Sequence, residues 1–213
     1  MIRLNLFDRI DHLMIEVNDP QASYDDFYKE FALPQAWPLM TSERYASIGI
    51  NFGNVNIELI SFKERFGVTN TQYLGLSGVC LTSHTDCEKL RAKLSGERLD
   101  LLDGEDAQGY KTFVIASKEA PTVFVCYYKF NTDGWKTRLN EEYKKSNGGA
   151  FNVTKIEEVC IRNPLLENCE FNFSQSDSVK LRYSKMPEVR LKSAQVSLIG
   201  KSIVVGETLF SFC

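Results

Sequence analysis

One pattern of polarity occurs twice in this chain, and this repeat constrains the fold more than any other feature of the sequence. Residues 7–63 have the pattern strand, helix, strand, strand, strand, and residues 76–130 have it again. A shift of 66 residues takes the helix-capping residue Asp19 of the first copy to Thr85 of the second. Internal repetition at so long a period indicates a duplicated structural unit. The sequence therefore predicts two successive βαβββ modules.

The first module begins with a strand whose two faces differ. Residues 10–17 alternate in polarity, and His12, Met14 and Glu16 share one face. Alternation with a period of two is typical of a half-buried strand. Asp19 is then expected to cap a helix with an aromatic face, because its carboxylate can accept hydrogen bonds from free backbone N–H groups. Three further strands are predicted at residues 36–41, 44–51 and 54–62.

The second module repeats this order, and its helix is predicted to start at Thr85, which stands in capping-box spacing with Glu88. Residues 131–150 are polar and are interpreted as a linker that contains a charged helix. Residues 151–213 are interpreted as a third, β-rich module, either a truncated copy or unrelated β structure. The predicted fold class is α+β. The strands of the second module are predicted at residues 76–82, 98–102, 110–117 and 122–130.

Composition and charge argue against several classes of protein. The 213 residues carry a net charge of −3 with an isoelectric point near 5.6, which gives no electrostatic basis for nucleic-acid binding. No apolar run approaches the roughly 18 residues that a membrane span needs, and we expect no signal peptide because the N-terminus lacks an apolar core. Six irregularly spaced cysteines without a CxxC pair indicate reduced thiols in a cytoplasmic protein, not a disulfide framework.

The repeated modules resemble those of the vicinal oxygen chelate superfamily, which includes glyoxalase I, bleomycin-resistance proteins and extradiol dioxygenases. The resemblance rests on the order of the elements, on Asp11-His12-Leu13 in the first strand and on the sequence Asn-Ile-Glu-Leu-Ile at 56–60 in the fourth. It is closest to the glyoxalase-like domains. It implies that the two modules form a curved mixed sheet around a shared cavity, where first and fourth strands hold a divalent metal.

By this resemblance, His12 and Glu58 match the two ligands of the first module and lie on neighbouring strands. One imidazole and one carboxylate suit Zn, Fe, Mn or Ni. The second module departs from the pattern, because Gly78 takes the place of His12 and Cys126, after an allowance of two residues, takes the place of Glu58. The only other histidine, His84, lies at the start of a helix, so a set of two histidines and one carboxylate cannot be built in the usual way.

Three interpretations of the His12–Glu58 pair stay open. In the first, the pair is a metal site completed by water, substrate and a side chain such as Cys126 or Glu158, with an open position for Lewis-acid chemistry. In the second, it is a metal-free acid–base pair in which Glu58 orients His12. In the third, it is a hydrogen-bonded pair in a cavity that binds a ligand without catalysis.

The resulting hypotheses of function share a small-molecule cavity. The first is an enzyme of isomerase, lyase or dioxygenase type that acts on a small oxygen-rich or aromatic substrate, with His12 and Glu58 as catalytic residues. The alternatives are a bleomycin-resistance-like protein that sequesters its ligand and a protein-interaction module. Uncovered sheet edges need a partner, so we also expect a homodimer. Four aromatic residues are candidate ligand contacts: Trp37, Tyr45, Tyr110 and Tyr128.

Overall fold

A computed structural model describes residues 2–65, 73–97, 99–115, 119–175 and 179–213. An N-terminal strand that the sequence did not predict, β1 (Ile2–Phe7), precedes the first module. The first module consists of β2 (Arg9–Glu16), α1 (Pro20–Phe31), β3 (Gln35–Thr41), β4 (Tyr45–Asn51) and β5 (Asn56–Phe62). The second consists of β6 (Gly75–Thr82), α2 (Cys87–Gly96), β7 (Leu101–Asp106), β8 (Tyr110–Ile115) and β9 (Thr122–Tyr128). Residues 98, 116 and 117 of the predicted strands lie outside the described residues.

The C-terminal part of the chain is mostly β structure, as predicted. It follows a helix within the segment that was interpreted as a linker. Its elements are α3 (Asp133–Ser146), β10 (Val153–Ile161), α4 (Leu165–Asn168), β11 (Cys169–Phe173), β12 (Lys180–Tyr183), β13 (Glu188–Ser193), β14 (Ser202–Val205) and β15 (Thr208–Phe212), with short 3-10 turns at Gly149–Phe151 and Val196–Leu198.

The two module helices start at aspartates. The Asp19 carboxylate accepts hydrogen bonds from the backbone N–H groups of residues 21 and 22, which confirms the predicted cap of α1. The predicted cap of α2 at Thr85 is wrong by one residue, because Asp86 accepts the corresponding bonds from Glu88 and Lys89. The carboxylate of Asp86 accepts hydrogen bonds from the free N–H groups of the first helical turn, so the Thr85 hydroxyl is not needed as a cap.

The eight strands of the two modules build one curved sheet in the order β3-β4-β5-β2-β6-β9-β8-β7. The first strands of the two modules, β2 and β6, pair antiparallel at the centre, and each also pairs in parallel with the fourth strand of its own module. Leu13 lies opposite Val79, and these two residues are equivalent under the shift of 66. The pseudo-twofold axis that relates the modules therefore passes between them.

The sheet has two differently packed faces, as the alternation in β2 predicted. Leu13 and Ile15 belong to the large core that also contains residues of α1 and α2, such as Phe27 and Leu90. Met14 belongs to a separate, smaller cluster on the other face. The remaining members of this cluster are Ile60, Cys80, Val114, Phe124 and Cys126. The predicted α+β fold with a curved sheet is confirmed.

A second sheet of five strands has the order β12-β10-β13-β15-β14. Its first strand, β10, lies between β12 and β13, whereas the first strand of each module pairs with the fourth strand of that module. The C-terminal part also joins the first module, because β1 pairs in parallel with β11 and the Leu139 carbonyl of α3 accepts a hydrogen bond from the Asn51 side chain. Among the described residues, no helix combines the length and the apolar character that a membrane crossing requires.

Candidate functional site

The concave face of the eight-stranded sheet encloses a cavity of about 440 Å³ to which both modules contribute. Seven of the residues that the sequence singled out lie on its wall. They are His12, Trp37, Tyr45, Glu58, Tyr110, Cys126 and Tyr128. The wall is otherwise mostly apolar, so the few polar groups on it determine what the cavity can bind.

His12 is buried on the cavity wall between two carboxylates. Its Nδ1 lies 3.0 Å from Oδ2 of Asp11, and its Nε2 lies 3.5 Å from Oε2 of Glu58. Tyr128 donates a hydrogen bond of 2.7 Å to the same Asp11 oxygen, and Arg9 approaches the other oxygen at 3.4 Å. The pair predicted from sequence therefore meets on one face, and Asp11 extends it to a triad.

Asp11 was not predicted as a site residue, because strict alternation puts neighbours in a strand on opposite faces. The pairing of β2 with β6 explains the difference: Ile10 lies opposite Leu81 and His12 lies opposite Cys80, so β2 has one extra residue at this point. Such a bulge redirects side chains and is common beside functional sites. It allows the carboxylate of Asp11 to reach the ring of its neighbour His12.

The two carboxylates determine the charge of the imidazole. Burial lowers the pKa of His12, but the hydrogen bond to Asp11 and the negative charge of Glu58 outweigh burial and raise this pKa to about 9. Burial raises the pKa of Asp11, and the hydrogen bonds from His12 and Tyr128 overcome it, so this pKa is lower than usual. At neutral pH the metal-free site therefore holds an imidazolium beside an ionised Asp11.

Aromatic rings surround His12. The rings of Phe124 and Trp37 contact it edge-on, with centroid distances of 5.6 and 6.3 Å. Trp135 of α3 lies next to Trp37 at 6.1 Å and closes this end of the cavity. Sequence reasoning missed Trp135 because it lies in a polar segment with no strand or helix periodicity that points to the cavity.

Two tyrosines join the modules across the cavity. The hydroxyls of Tyr45 and Tyr110 are 2.7 Å apart, and Tyr110 donates a hydrogen bond of 2.5 Å to Glu105. The two residues are the first residues of β4 and β8, which are equivalent strands of the two modules. Burial and the bond to Glu105 raise the pKa of Tyr110, so its hydroxyl stays protonated as a donor.

The second module does not supply a matching pair of polar groups. In the first module Met14 pairs with Glu58, and in the second the equivalent Cys80 pairs with Phe124. The residue equivalent to Glu58 is therefore Phe124, and the sequence alignment that put Cys126 there was wrong by two residues. With Gly78 and Phe124 at the remaining positions, the four-ligand metal set that the resemblance implies does not fit this chain.

A different group of metal-binding side chains does come together. One ligand atom each from Asp11, His12 and Cys80 lie within 4.8 Å of one another. Cys80 is fully buried, and burial together with its hydrogen bond to Cys126 raises the pKa of the Cys80 thiol. All six cysteines are free thiols.

The other two polar residues considered from sequence lie elsewhere. Glu158 belongs to the five-stranded sheet, where it pairs with Arg182 at 2.5 Å and Arg190 at 2.8 Å. His84 is exposed and lies 2.6 Å from Asp8. Glu158 therefore does not complete a site around His12.

The paired βαβββ modules, the shared concave cavity and the location of His12 and Glu58 on first and fourth strands define the vicinal oxygen chelate fold. No known family profile matches the chain, and no curated protein matches it in sequence. A crystal structure of a hypothetical protein from Staphylococcus aureus is similar over 96% of this chain and 98% of that chain, with a TM-score of 0.64 and 14% sequence identity. The similarity in fold to this structure therefore includes the C-terminal part of the chain.

Methylmalonyl-CoA epimerases are also similar, over a smaller part of the chain. The structure from Mycobacterium tuberculosis has a TM-score of 0.47 and 10% identity and covers 59% of this chain and 91% of that chain. A Streptomyces coelicolor variant in complex with 2-nitronate-propionyl-CoA has a TM-score of 0.45 and 14% identity, over 58% of this chain and 99% of that chain.

Proposed function

We propose that this protein binds a small oxygen-containing organic molecule in the concave cavity and that His12 and Glu58 catalyse proton transfer on it. The observation that supports this most is the position of the His12–Glu58 pair, which is buried at an aromatic wall with its two polar atoms 3.5 Å apart. An acid and a base at this separation can serve neighbouring atoms of one substrate.

The two groups have different roles in this proposal. Glu58 accepts a proton from a carbon next to a carbonyl group, and the electrons of the broken C–H bond move to the carbonyl oxygen. The imidazolium of His12 donates a hydrogen bond to that oxygen, whose negative charge it stabilises. Asp11 holds the ring in orientation through Nδ1. Return of the proton to either face or to a neighbouring atom gives an epimerase or isomerase.

Deuterium exchange at the benzylic carbon of phenylacetone tests this proposal, because this uncharged probe carries an acidic carbon beside a carbonyl group. In D2O the wild type should accelerate the exchange, and Glu58→Gln and His12→Ala should lower the rate by about a hundredfold or more. His84→Ala is the matched control, since His84 lies on the surface. If the probe binds and its exchange is not accelerated, the protein is a sequestering protein and not this kind of enzyme.

A divalent-metal enzyme is the second candidate, and the grouping of Asp11, His12 and Cys80 favours it. These residues would hold the ion, with Zn²⁺ as the first choice because it accepts nitrogen, oxygen and thiolate ligands. A bound metal supplies Lewis acidity toward a substrate oxygen. Metal analysis of protein purified without chelator is the test: His12→Ala and Cys80→Ser should lose a stoichiometric metal, whereas Cys160→Ser, in the other sheet, should keep it.

A homodimer in the cytoplasm completes the proposal. The edge strands of the two sheets, β3, β7, β12 and β14, offer unpaired backbone groups on which a second copy can add. Light scattering at high protein concentration should give twice the mass of one chain. A monomer there would contradict the proposed assembly, and loss of dimers after removal of residues 151–213 would favour the interaction-module alternative.

A further inference from the structure

We infer that the ligand of this cavity is an organic anion whose charged group binds Arg65, at the end of the cavity away from His12. The inference rests on the proposed function, because it names the chemical class of ligand for the same cavity. In this arrangement, Arg65 binds the charged group of the ligand at one end of the cavity, and the His12–Glu58 pair acts on the ligand at the other end.

Arg65 is a charged group on the cavity wall that water barely reaches. Its side chain is 3% exposed and forms an ion pair with Glu16. Its guanidinium also lies over the ring of Phe62, 4.6 Å from the ring centre. Both Arg65 and Phe62 line the cavity. An arginine stacked on an aromatic ring is well suited to bind carboxylate or phosphate groups in its plane.

The guanidinium has donors to spare. It carries five N–H groups, and Nε has no hydrogen-bond partner within the described part of the chain. Burial lowers the pKa of Arg65 to about 10. A buried donor without a partner costs about 1–3 kcal/mol. A ligand carboxylate or phosphate that draws the guanidinium toward the cavity and accepts this bond would remove that penalty.

The other end of the cavity does not attract a second anion. Among the described residues, His12 is the only cation on that part of the wall, and the carboxylates of Asp11 and Glu58 already flank it. A negatively charged ligand group beside Glu58 would meet like charge. Arg65 is therefore the better place for a negative group, and an uncharged oxygen suits His12.

The spacing of the two ends gives the ligand a shape. His12 and Glu16 are four residues apart on β2, which corresponds to roughly 13 Å at the rise of a strand. Met14, Ile60 and Phe124 line the cavity between them. The matching ligand is elongated, with an anionic group at one end, a flat or apolar middle and the reacting carbon and oxygen at the other end.

Biphenyl-4-carboxylate and biphenyl-4-carboxamide test this inference, because the two probes share one shape and differ in charge. Calorimetric titration of the full-length wild type should show about tenfold tighter binding of the carboxylate, as expected for one charge-assisted hydrogen bond. Arg65→Gln should abolish this preference. Arg91→Gln is the matched control, because Arg91 also pairs with an acid, Asp103, and also lies over a ring, Phe113, outside the cavity.

A second variant guards against misfolding. Arg65→Gln leaves Glu16 buried without its partner, which is destabilising, so the double variant Glu16→Gln/Arg65→Gln removes both charges. It should bind the two probes equally. Retained preference for the carboxylate in the double variant, or equal binding of both probes by the wild type, would overturn this inference alone. Failure of the wild type to bind either probe would overturn the proposed function together with it.

Discussion

Gly49 lies directly under the indole of Trp37, and a Cβ at this glycine would be 2.3 Å from the ring. The two residues are paired across β3 and β4, so the missing side chain of one makes room for the other on the cavity wall. Because an indole is rigid and β3 fixes its backbone, the contact cannot be relieved by a small rotation.

Gly49→Ala should therefore move Trp37 and lower the free energy of unfolding by about 1–3 kcal/mol, as overpacking commonly does. Chemical denaturation measures the loss, and the tryptophan emission spectrum should shift because Trp37 becomes more hydrated. Gly96→Ala is the control, since nothing lies within 4 Å of a Cβ there. Equal effects of the two substitutions would show that the Trp37 contact is not tight.

The pKa of His12 depends on Asp11 in this structure. Asp11→Asn should lower the pKa of His12 from about 9 toward 6.5 by at least one unit, because the amide removes a negative charge and a strong acceptor. NMR of the imidazole protons measures it in chelator-treated protein. His84→Ala leaves His12 as the only histidine and assigns the signal. An unchanged midpoint would contradict the Asp11–His12 hydrogen bond.

The same raised pKa makes the stability of the metal-free protein depend on pH. His12 binds its proton more tightly in the folded chain, with a pKa of about 9, than in the unfolded chain, where 6.5 is usual. Its contribution is complete below about pH 6.5 and is lost as pH rises through about 9. Unfolding by urea should show a loss on the order of 2 kcal/mol over this range, and His12→Gln should remove it. A stability that rises with pH over this range in wild type alone would contradict the assignment.

Substitutions of two residues of α3 should affect different properties: one should weaken ligand binding and the other should lower the free energy of unfolding. Trp135→Ala opens the end of the cavity next to Trp37 and should weaken binding of biphenyl-4-carboxylate about tenfold, with little change in unfolding. Leu139 is 6% exposed, and Leu139→Ala should lower the free energy of unfolding by about 2–3 kcal/mol. Calorimetric titration and denaturation distinguish the two. Strong destabilisation by Trp135→Ala would show that this ring holds the fold and does not only cover the cavity.

The sequence predicted those parts of the site that depend on the period-two alternation of a strand and on the order of elements in the repeated modules. Alternation in β2 placed His12 and Met14 on the cavity face, and the repeat placed Glu58 on the neighbouring strand. Asp11 escaped prediction because a bulge interrupts the alternation, and bulges leave no clear signal in a single sequence. The position of Cys126 was wrong because the comparison of the two modules allowed two extra residues that the sheet register does not contain.

Long-range pairing accounts for the other omissions. Trp135 reaches the cavity only because α3 packs on the first module, and no local pattern encodes that contact. The five-stranded sheet places β10 between β12 and β13, an order that hydrophobic periodicity does not specify. Local propensity predicts which segments are strands, whereas the order of strands in a sheet depends on contacts between distant residues.

The parallel pairing of β1 with β11 joins residues 2–7 to residues 169–173. During synthesis, β11 leaves the ribosome more than 160 residues after β1, so the neighbour of β1 does not yet exist when β1 is made. Until then this apolar segment has an open edge on which another nascent chain could add. The pairing of β1 with β11 is therefore expected to form late in folding, and substitutions in Leu4 or Phe171 should slow that step more than substitutions at the cavity wall.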